Sequence, residues 1–308
     1  MAQLQPRGPF DQTAQDNGAA DAFSALDGRL GLTVPHEWWP SAHLLKSFEA
    51  AGFSHVQVDA PPPSVLEDTR LVTRHAAALR EALGTTGLSL VLHAPAGLRL
   101  GTAAGDRAMD GLIDYLVEAD ADQVVYHALA YLDEPDSERA LRAEMQSLRR
   151  AVRRAELHDI LIAIENLAPL YPGREFVSAS PMSLRAATRR LTSEGVGICL
   201  DLGHAHITAE LRHTSLENLV EPVMDAVTLI HAHDNYGARR DPAPRGSLGV
   251  DPLRLDLHLP PGRGTLPWGD VAQHVMRSGA PVILEVHPPF RPRVAELHDT
   301  GSLLFATS

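Results

Sequence analysis

The chain has 308 residues, of which 44% are hydrophobic, and a formal net charge of −12. A chain of this length folds as one large α/β domain or as two ordinary domains. The acidic charge argues against binding to nucleic acid through a broad basic surface, which needs many Lys and Arg side chains on one face. No apolar run approaches the roughly 20 residues that cross a bilayer, and the N-terminus lacks the order of a secretory signal. We therefore expect a cytoplasmic protein without a membrane partner.

The first 27 residues differ in character from the rest of the chain. They are rich in Gln, Asp, Ala and Gly and show no sustained periodicity. This composition is typical of a flexible tail. We predict that residues 28–308 form a single domain.

Short apolar or β-branched runs then alternate with segments of helical spacing. The runs are RLGLTV (29–34), HVQVDA (55–60), LSLVLHA (88–94), QVVYHAL (123–129), ILIAIEN (160–166), VGICLDL (196–202), VTLIHAH (227–233) and PVILEVH (281–287). The helical segments include 64–83, 137–157, 180–191, 215–226 and 268–277. Strands that alternate with helices imply parallel strands joined by right-handed crossovers. Eight such units predict a single (β/α)8 TIM barrel of the α/β class.

An open sheet of the dinucleotide-binding type is disfavoured, because no G-x-G-x-x-G follows the first strand, which continues as PHEWW. The longest irregular stretch, 235–266, follows the seventh strand. Long loops in compact domains are often functional, so we expect this one to contribute to the site.

Histidines and carboxylates cluster where the predicted strands end, which is where the active sites of such barrels are built. The predicted metal ligands, in chain order, are His93, His127, Glu165, Asp201, His204, His231, Asp256, His258 and Glu285. So many titratable groups at one rim need compensating charge, and metal ions are the simplest source. Mixed His and carboxylate ligands suit Zn, Mn, Fe or Co. The set predicts one to three divalent ions, Zn or Mn, with Glu165 or Glu285 bridging. The single cysteine, Cys199, lies in an apolar run and is interpreted as a small buried hydrophobe.

The motifs that carry these ligands resemble those of the xylose isomerase-like TIM barrels. That superfamily joins sugar isomerases and epimerases to the endonuclease IV type of apurinic-site nuclease. The similar segments are IENLAP around Glu165, LDLGHAH around Asp201, IHAHDN around His231, DLHLPPGRGTLPW from Asp256 to Trp268, and ILEVH around Glu285. The resemblance spans about residues 28–290.

Two reactions are open within this superfamily. Glu165, Asp201, His231 and Glu285 are similar to the single-metal site of ketose epimerases, in which two glutamates exchange a proton with the carbon beside a carbonyl. The other five ligands match the spacing of the trinuclear zinc set of endonuclease IV. The resemblance thus implies either a sugar isomerase or epimerase, our first choice because of the acidic charge, or a zinc-dependent phosphoester hydrolase.

In the isomerase interpretation Glu165 and Glu285 are the catalytic base and acid, and His204 holds a substrate hydroxyl. The substrate is then a small sugar, sugar phosphate or cyclitol-like molecule. In the hydrolase interpretation either glutamate orients a hydroxide, and arginines of the long loop clamp a phosphate. A third alternative is a metal-stabilised binding protein with structural ions, disfavoured because structural zinc sites are usually closed and rich in cysteine.

Further residues are candidates for substrate contact. They are Asp59, Trp39 beside Trp38, His233, Arg239 and Arg240. His206 and His287 stand next to predicted ligands and are interpreted as supporting or substrate contacts. Asp234, Asn235 and Asn166 are expected to brace the strand ends. The sequence leaves a homo-oligomer open.

Overall fold

The computed structural model describes residue 26 and residues 28–128, 136–169, 176–238 and 256–305. The predicted flexible tail, residues 1–27, therefore lies almost entirely outside the described residues. Arg239 and Arg240 also lie outside them.

Eight parallel strands close into a barrel in which each strand pairs with its neighbours in chain order, and β1 pairs with β8. The strands are β1 (Leu30–Thr33), β2 (His55–Asp59), β3 (Ser89–His93), β4 (Gln123–His127), β5 (Leu161–Glu165), β6 (Val196–Asp201), β7 (Val227–Ala232) and β8 (Val282–Leu284). The predicted fold is thereby confirmed. Each predicted run contains its strand, although β8 is shorter than its run, so that Glu285 and His287 follow the strand.

Helices pack around the barrel, and their bounds are as follows. They are α1 (Ala42–Ala50), α2 (Pro63–Leu66), α3 (Thr69–Leu83), α4 (Ala103–Ala119), α5 (Ser137–Glu156), α6 (Pro181–Leu191), α7 (Leu202–Arg212), α8 (Leu216–Val220), α9 (Trp268–Ser278) and α10 (Val294–Phe305). Three 3-10 turns cover Val177–Ala179, Glu221–Ala226 and Pro288–Phe290. Among the described helices, none is long and apolar enough to span a membrane.

Two predicted helices are divided in the structure. The predicted helix 64–83 breaks before Asp68, whose carboxylate accepts hydrogen bonds from the backbone N–H groups of Arg70 and Leu71 and so begins α3. The predicted helix 215–226 is α8 followed by a 3-10 turn that has Pro222 near its start. A proline lacks the N–H that a continuing α-helix needs.

The barrel interior explains why the ligands face one another. A buried apolar cluster fills the barrel: Val91, Val125, Ala163, Cys199, Leu229 and Ile283. Each of these residues lies two positions before a predicted ligand, and every such ligand is the last or a late residue of its strand, except Glu285, which directly follows β8. Side chains two positions apart on a strand point to the same face. The ligands therefore lie directly above this buried apolar cluster, which we call the barrel floor. Cys199 is part of that floor, and burial followed by the charge of Glu165 holds the pKa of its thiol well above the usual range.

Candidate metal centre

The nine predicted ligands come together above the barrel floor in three adjoining groups. Within each group, one donor atom per residue lies within 4.8 Å of all the others. We name them the His93 cluster (His93, His127, Glu165), the central quartet (Glu165, Asp201, His231, Glu285) and the His204 cluster (His204, His233, Asp256, His258). Glu165 belongs to two of them. His233, predicted as a substrate contact, falls within the third.

The central quartet surrounds one imidazole nitrogen. The Nδ1 atom of His231 lies 3.3 Å from Glu165 Oε1, 3.4 Å from Glu285 Oε2 and 3.9 Å from Asp201 Oδ2. His231 and Asp201 are fully buried, and Glu165 is 1% exposed. Among the described residues, the buried Nδ1 of His231 has no hydrogen-bond partner. Three carboxylates thus converge on a nitrogen that is free to act as a ligand.

Gln57 orients this quartet and was missed by the sequence analysis. Its side chain is fully buried on β2. The amide Nε2 donates to Glu285 Oε1 at 2.5 Å, and the amide Oε1 lies 2.8 Å from Nε2 of His231. Because a carboxylate only accepts, Gln57 Oε1 must accept from the N–H of His231. In the neutral imidazole of His231, the form that binds metal, the proton is thereby held on Nε2 and the lone pair lies on Nδ1.

The His93 cluster brings two imidazoles against one carboxylate oxygen. Nε2 of His93 and Nε2 of His127 lie 3.3 Å and 2.8 Å from Glu165 Oε2, and 3.1 Å from each other. Nδ1 of His93 lies 2.8 Å from the backbone oxygen of Ala94 and donates to it. Two nitrogens at this separation and a buried carboxylate fit a shared cation.

The His204 cluster is built by the start of α7 and by the segment after β7. Asp201 caps α7 by accepting from the backbone N–H of His204 at 2.6 Å. His204 Nε2 and His258 Nε2 lie 3.4 Å and 3.3 Å from Asp256 Oδ2. Each of these two imidazoles directs Nδ1 to a backbone oxygen, that of Asn166 at 2.8 Å and that of Glu285 at 3.0 Å.

His233 is better suited to support than to ligation. Its ring stacks on His258 with the centroids 3.8 Å apart and the planes 9° apart. The Nε2 atom of His233 lies 3.1 Å from both carboxylate oxygens of Asp201, so that His233 orients Asp201.

These contacts give a test of whether the residues fit divalent ions, and they do. Four imidazoles, those of His93, His204, His231 and His258, direct one nitrogen to a protein acceptor and the other to carboxylates. Metal-binding histidines are held in this way, because the N–H donated to a second group fixes the tautomer. The buried Oδ1 of Asp256, like Nδ1 of His231, lacks a hydrogen-bond partner in the described part of the chain.

Electrostatics in the protein without metal confirm that charge is concentrated here. Burial by itself lowers the pKa of His93, but the hydrogen bond to Glu165 and the charge of Glu165 outweigh it and raise the pKa to about 9. Burial also lowers the pKa of His258, but the charge of Asp256 and the hydrogen bond to it raise this pKa to about 9. Burial raises the pKa of Glu165, but the charges of His127 and His231 outweigh it and hold the pKa well below its usual range. Without metal, protonated imidazoles therefore supply the positive charge that balances the buried carboxylates.

Asp234 fixes the segment that carries Asp256 and His258. Its backbone pairs with Leu259 in an antiparallel bridge. Its carboxylate accepts from the backbone N–H groups of Gly262 and Leu266 and from Nε1 of Trp268, at 2.9, 3.1 and 3.1 Å. At the end of β5, the side-chain amide of Asn166 bonds the backbone N–H and C=O of Asp201 at 2.8 Å each. Asp234 in the motif IHAHDN and Asn166 in the motif IENLAP thus hold neighbouring ligand residues in place, as the sequence predicted.

Two of the predicted substrate residues, Asp59 and Trp39, lie beside the metal centre, whereas His233 belongs to the His204 cluster. One carboxylate oxygen of Asp59 lies 2.9 Å from Nδ1 of His36, and the other lies 3.9 Å from Nδ1 of His93. Trp39 is 47% exposed and packs edge-on against His75 with the ring centroids 4.8 Å apart. Trp38, Trp39 and Asp59 line a cavity of about 200 Å³. Their contact with substrate stays a prediction.

Asp59 also lines a second cavity of about 250 Å³, which contains Glu285, His258 and Arg291. His287, interpreted as a supporting or substrate residue, lines the same cavity and stacks on His258 with centroids 4.5 Å apart. His206 lies farther out, with its Nε2 3.3 Å from the hydroxyl of Thr265. The sequence analysis gave no role to Arg291, which lies in the segment PPFRPR.

The protein is a closed (β/α)8 barrel with histidines and carboxylates at its strand ends that could hold metal ions. The sequence model of the family described as "xylose isomerase-like TIM barrel" matches residues 45–299. The chain belongs to this family, which confirms the resemblance found in the sequence. No curated protein matches the chain.

Solved structures with the same fold include sugar epimerases. A D-tagatose 3-epimerase-like protein is 21% identical, with a TM-score of 0.65 over 90% of this chain and 95% of that one. The 3-keto-D-glucoside 4-epimerase of E. coli is 14% identical, with a TM-score of 0.65 over 90% and 98%. A Thermus thermophilus protein that had been soaked with ZnCl2 is 20% identical, with a TM-score of 0.61 over 89% and 98%. At these identities the likeness shows the fold.

Proposed function

We propose that this protein is a divalent-metal-dependent isomerase or epimerase of a small sugar, sugar phosphate or cyclitol-like substrate. The observation that carries the proposal is the central quartet, in which two glutamates lie on either side of His231 Nδ1 and complete one metal site with Asp201. The epimerase names of similar folds, the tagatose and keto-glucoside enzymes, support this reaction class.

Glu165, Asp201, His231 and Glu285 would hold a divalent ion, which would supply Lewis-acid polarisation of a substrate carbonyl or hydroxyl. Glu165, whose pKa His127 and His231 hold well below its usual range, is ionised and removes the proton from the carbon next to the carbonyl. Burial raises the pKa of Glu285, but the charges of His231 and His258 outweigh it and leave the pKa below its usual value. In the proposed reaction, Glu285 carries the proton that is returned to the carbon. His204 holds a hydroxyl of the substrate.

The test is exchange of substrate hydrogen with solvent. The metal-loaded enzyme is incubated in D2O with a panel of ketoses, ketose phosphates and inosose-type cyclitols, and the products are analysed by NMR. Proton transfer through a carboxylate places deuterium at the carbon next to the carbonyl of at least one substrate. Absence of both product and deuterium across the panel, from protein with full metal occupancy, would contradict the proposal.

A second candidate function is phosphoester hydrolysis by a multinuclear zinc site. The observation that favours it is the pair of flanking clusters, which provide donors for two further ions, with Glu165 shared between the His93 cluster and the central quartet. Ions that share a carboxylate can activate a water and stabilise a leaving oxygen. The loop arginines proposed as a phosphate clamp, Arg239, Arg240, Arg245 and Arg254, lie outside the described residues.

The two functions make different demands on His127. Its Nε2 contacts Glu165 and His93 but none of the other quartet residues. In an isomerase, His127→Ala keeps the quartet and most of the deuterium exchange. In a hydrolase it removes a metal ligand, and the rate with bis(p-nitrophenyl) phosphate falls by about 100-fold. The variant His43→Ala, at an exposed position on α1, is the matched control.

A further inference from the structure

Arg291 stands out because its charge is half-buried without a counter-charge. It follows β8 and lies just after the 3-10 turn Pro288–Phe290. Among the described residues it makes no ion pair. Burial alone lowers the pKa of its guanidinium to about 10. A cation removed from water without a partner is costly, so its place next to the metal centre needs an explanation.

The guanidinium is only partly satisfied by the protein. Nη2 donates to the backbone oxygens of Thr33 and Val286 at 2.8 and 3.1 Å, and Nε donates to that of Val286 at 3.3 Å. Nη1 is buried and has no hydrogen-bond partner in the described ranges. The backbone contacts hold the group at the seam between β1 and β8 and leave one donor nitrogen for something else.

The position of this seam connects Arg291 to the reacting groups. Val286 follows Glu285 directly, and Thr33 Oγ1 lies 3.5 Å from Glu285 Oε1. Arg291, Glu285 and His258 line the same cavity of about 250 Å³. Three carboxylates, Glu285, Asp59 and Glu37, line this cavity as well, but among the described residues none of them lies within ion-pair distance of Arg291.

We infer that Arg291 binds an anionic oxygen group, a phosphate or a carboxylate, on the substrate that reacts at the central quartet. Guanidinium N–H groups bind both anions through charge-assisted hydrogen bonds, and Nη1 is the nitrogen that remains for such a bond. The inference rests on the proposed function for the statement that the anion belongs to a sugar-like substrate. The inference narrows the proposed substrate class to sugar phosphates or sugar acids and excludes neutral sugars.

The test uses inorganic phosphate and acetate as probes, titrated calorimetrically into metal-loaded protein and into chelator-treated protein. Chelator treatment removes direct binding of the probe to metal, so an effect of Arg291 must persist there. We expect Arg291→Gln to weaken the tighter-binding probe by about tenfold or more. Arg291→Lys keeps the charge but loses the guanidinium donors, so we expect its probe affinity to lie between those of Arg291→Gln and the wild type. Arg293→Gln, at an exposed arginine paired with Glu296, is the matched control and binds as the wild type does.

Equal binding of both probes by Arg291→Gln and wild type overturns the inference. If Arg291→Gln does not fold, a crystal structure of the wild-type protein soaked with phosphate or acetate is the test. The inference then requires an anion oxygen within hydrogen-bond distance of Arg291. An anion found only on metal or elsewhere contradicts it. Preference of phosphate over acetate separates sugar phosphates from sugar acids.

The sugar panel separates this inference from the proposed function. Arg291-dependent probe binding without deuterium exchange on any sugar leaves the anion site standing and removes the isomerase. Exchange that is equally fast with neutral and anionic sugars, and unaffected by Arg291→Gln, keeps the isomerase and removes the anion site.

Discussion

The role of Gln57 shows how one neutral side chain sets the properties of two ligands. It donates to Glu285 and accepts from His231, over distances of 2.5 and 2.8 Å. Without it, the imidazole of His231 has no fixed tautomer, and Glu285 loses the donor that orients it. A residue with these contacts acts through the ligands, and we regard Gln57 as a positioning residue.

We predict that Gln57→Leu lowers metal affinity by about 10- to 100-fold, the usual effect of losing a group that orients ligands. The measurement is competition for Zn with a chromophoric chelator. Gln123→Leu is the matched control, because Gln123 lies at the start of β4 and donates to the backbone of Thr228 away from the metal centre. Equal affinity in Gln57→Leu and Gln123→Leu would show that Gln57 does not position the quartet.

For Glu285, we predict that Glu285→Gln abolishes turnover and leaves the fold intact. The amide keeps the shape of the side chain but cannot carry a proton in either reaction. Turnover is measured by the deuterium assay and the fold by circular dichroism and the thermal midpoint. Glu81→Gln makes the same chemical change at an exposed position on α3 and should retain activity. Wild-type rates in Glu285→Gln would remove this residue from both mechanisms.

Among the elements, the segment between β7 and α9 depends on Asp234 more than on its own packing. Three donors of this segment converge on one buried carboxylate. We predict that Asp234→Asn, which replaces one acceptor oxygen with a donor, destabilises the protein by about 2 kcal/mol or more. It should also reduce the metal content of the His204 cluster while the quartet stays loaded.

Metal analysis and chemical denaturation test this prediction for Asp234→Asn. Asp270→Asn, at an exposed position in the first turn of α9, is the control and should match wild type in both. A variant with full metal content and unchanged stability would mean that the bridge to Leu259 alone holds the segment.

The apolar runs were sufficient to predict every strand and the closed barrel, because parallel strands covered on both faces form near-continuous apolar runs. Successive side chains point to opposite faces, which places Gln57 on the inner face, two residues before Asp59. A glutamine has no distinctive ligand chemistry, so nothing in the sequence marked it. Arg291 was missed because its significance lies in what surrounds it. Burial and the absence of a partner charge are properties of the packed structure.

The helix boundaries show a similar limit. The segment 64–83 has continuous helical spacing, but Asp68 forms a cap within it. A local hydrogen bond of this kind competes with the helical pattern, and periodicity alone does not reveal which one wins. The role of His233 was also undecidable from the motif IHAHDN, since only the structure shows its contact with both carboxylate oxygens of Asp201.

For the whole molecule, the arrangement separates the metal centre from the source of stability. The apolar floor and the helix-facing core lie beneath and around the ligands. We predict that the purified protein carries at least one tightly bound Zn or Mn ion per chain, and that a chelator removes activity but leaves the barrel folded. Metal analysis and circular dichroism before and after chelation check this. Unfolding on chelation, with no turnover on any substrate, would favour a metal-stabilised binding protein.

Proton competition gives a final prediction at this scale. His93 and His258 have pKa values raised to about 9 in the protein without metal, against about 6.5 in an unfolded chain. Groups with a raised pKa stabilise the fold fully below the unfolded value, and this contribution is lost as pH rises through the folded value. The chelator-treated protein should therefore lose stability between about pH 6.5 and pH 9.

Metal binding reverses this dependence, because metal ions bind the neutral imidazole. Each displaced proton makes the apparent affinity rise by about tenfold per pH unit, up to about pH 9. Calorimetric titration of Zn near pH 7.5, in two buffers of different ionisation enthalpy, counts the protons released. The variant His258→Gln should release fewer protons than wild type, whereas His274→Gln, which removes a histidine paired with Glu217 on the barrel exterior, should release the same number. An affinity that does not change between pH 6.5 and pH 9 would show that the imidazoles are already neutral when metal arrives.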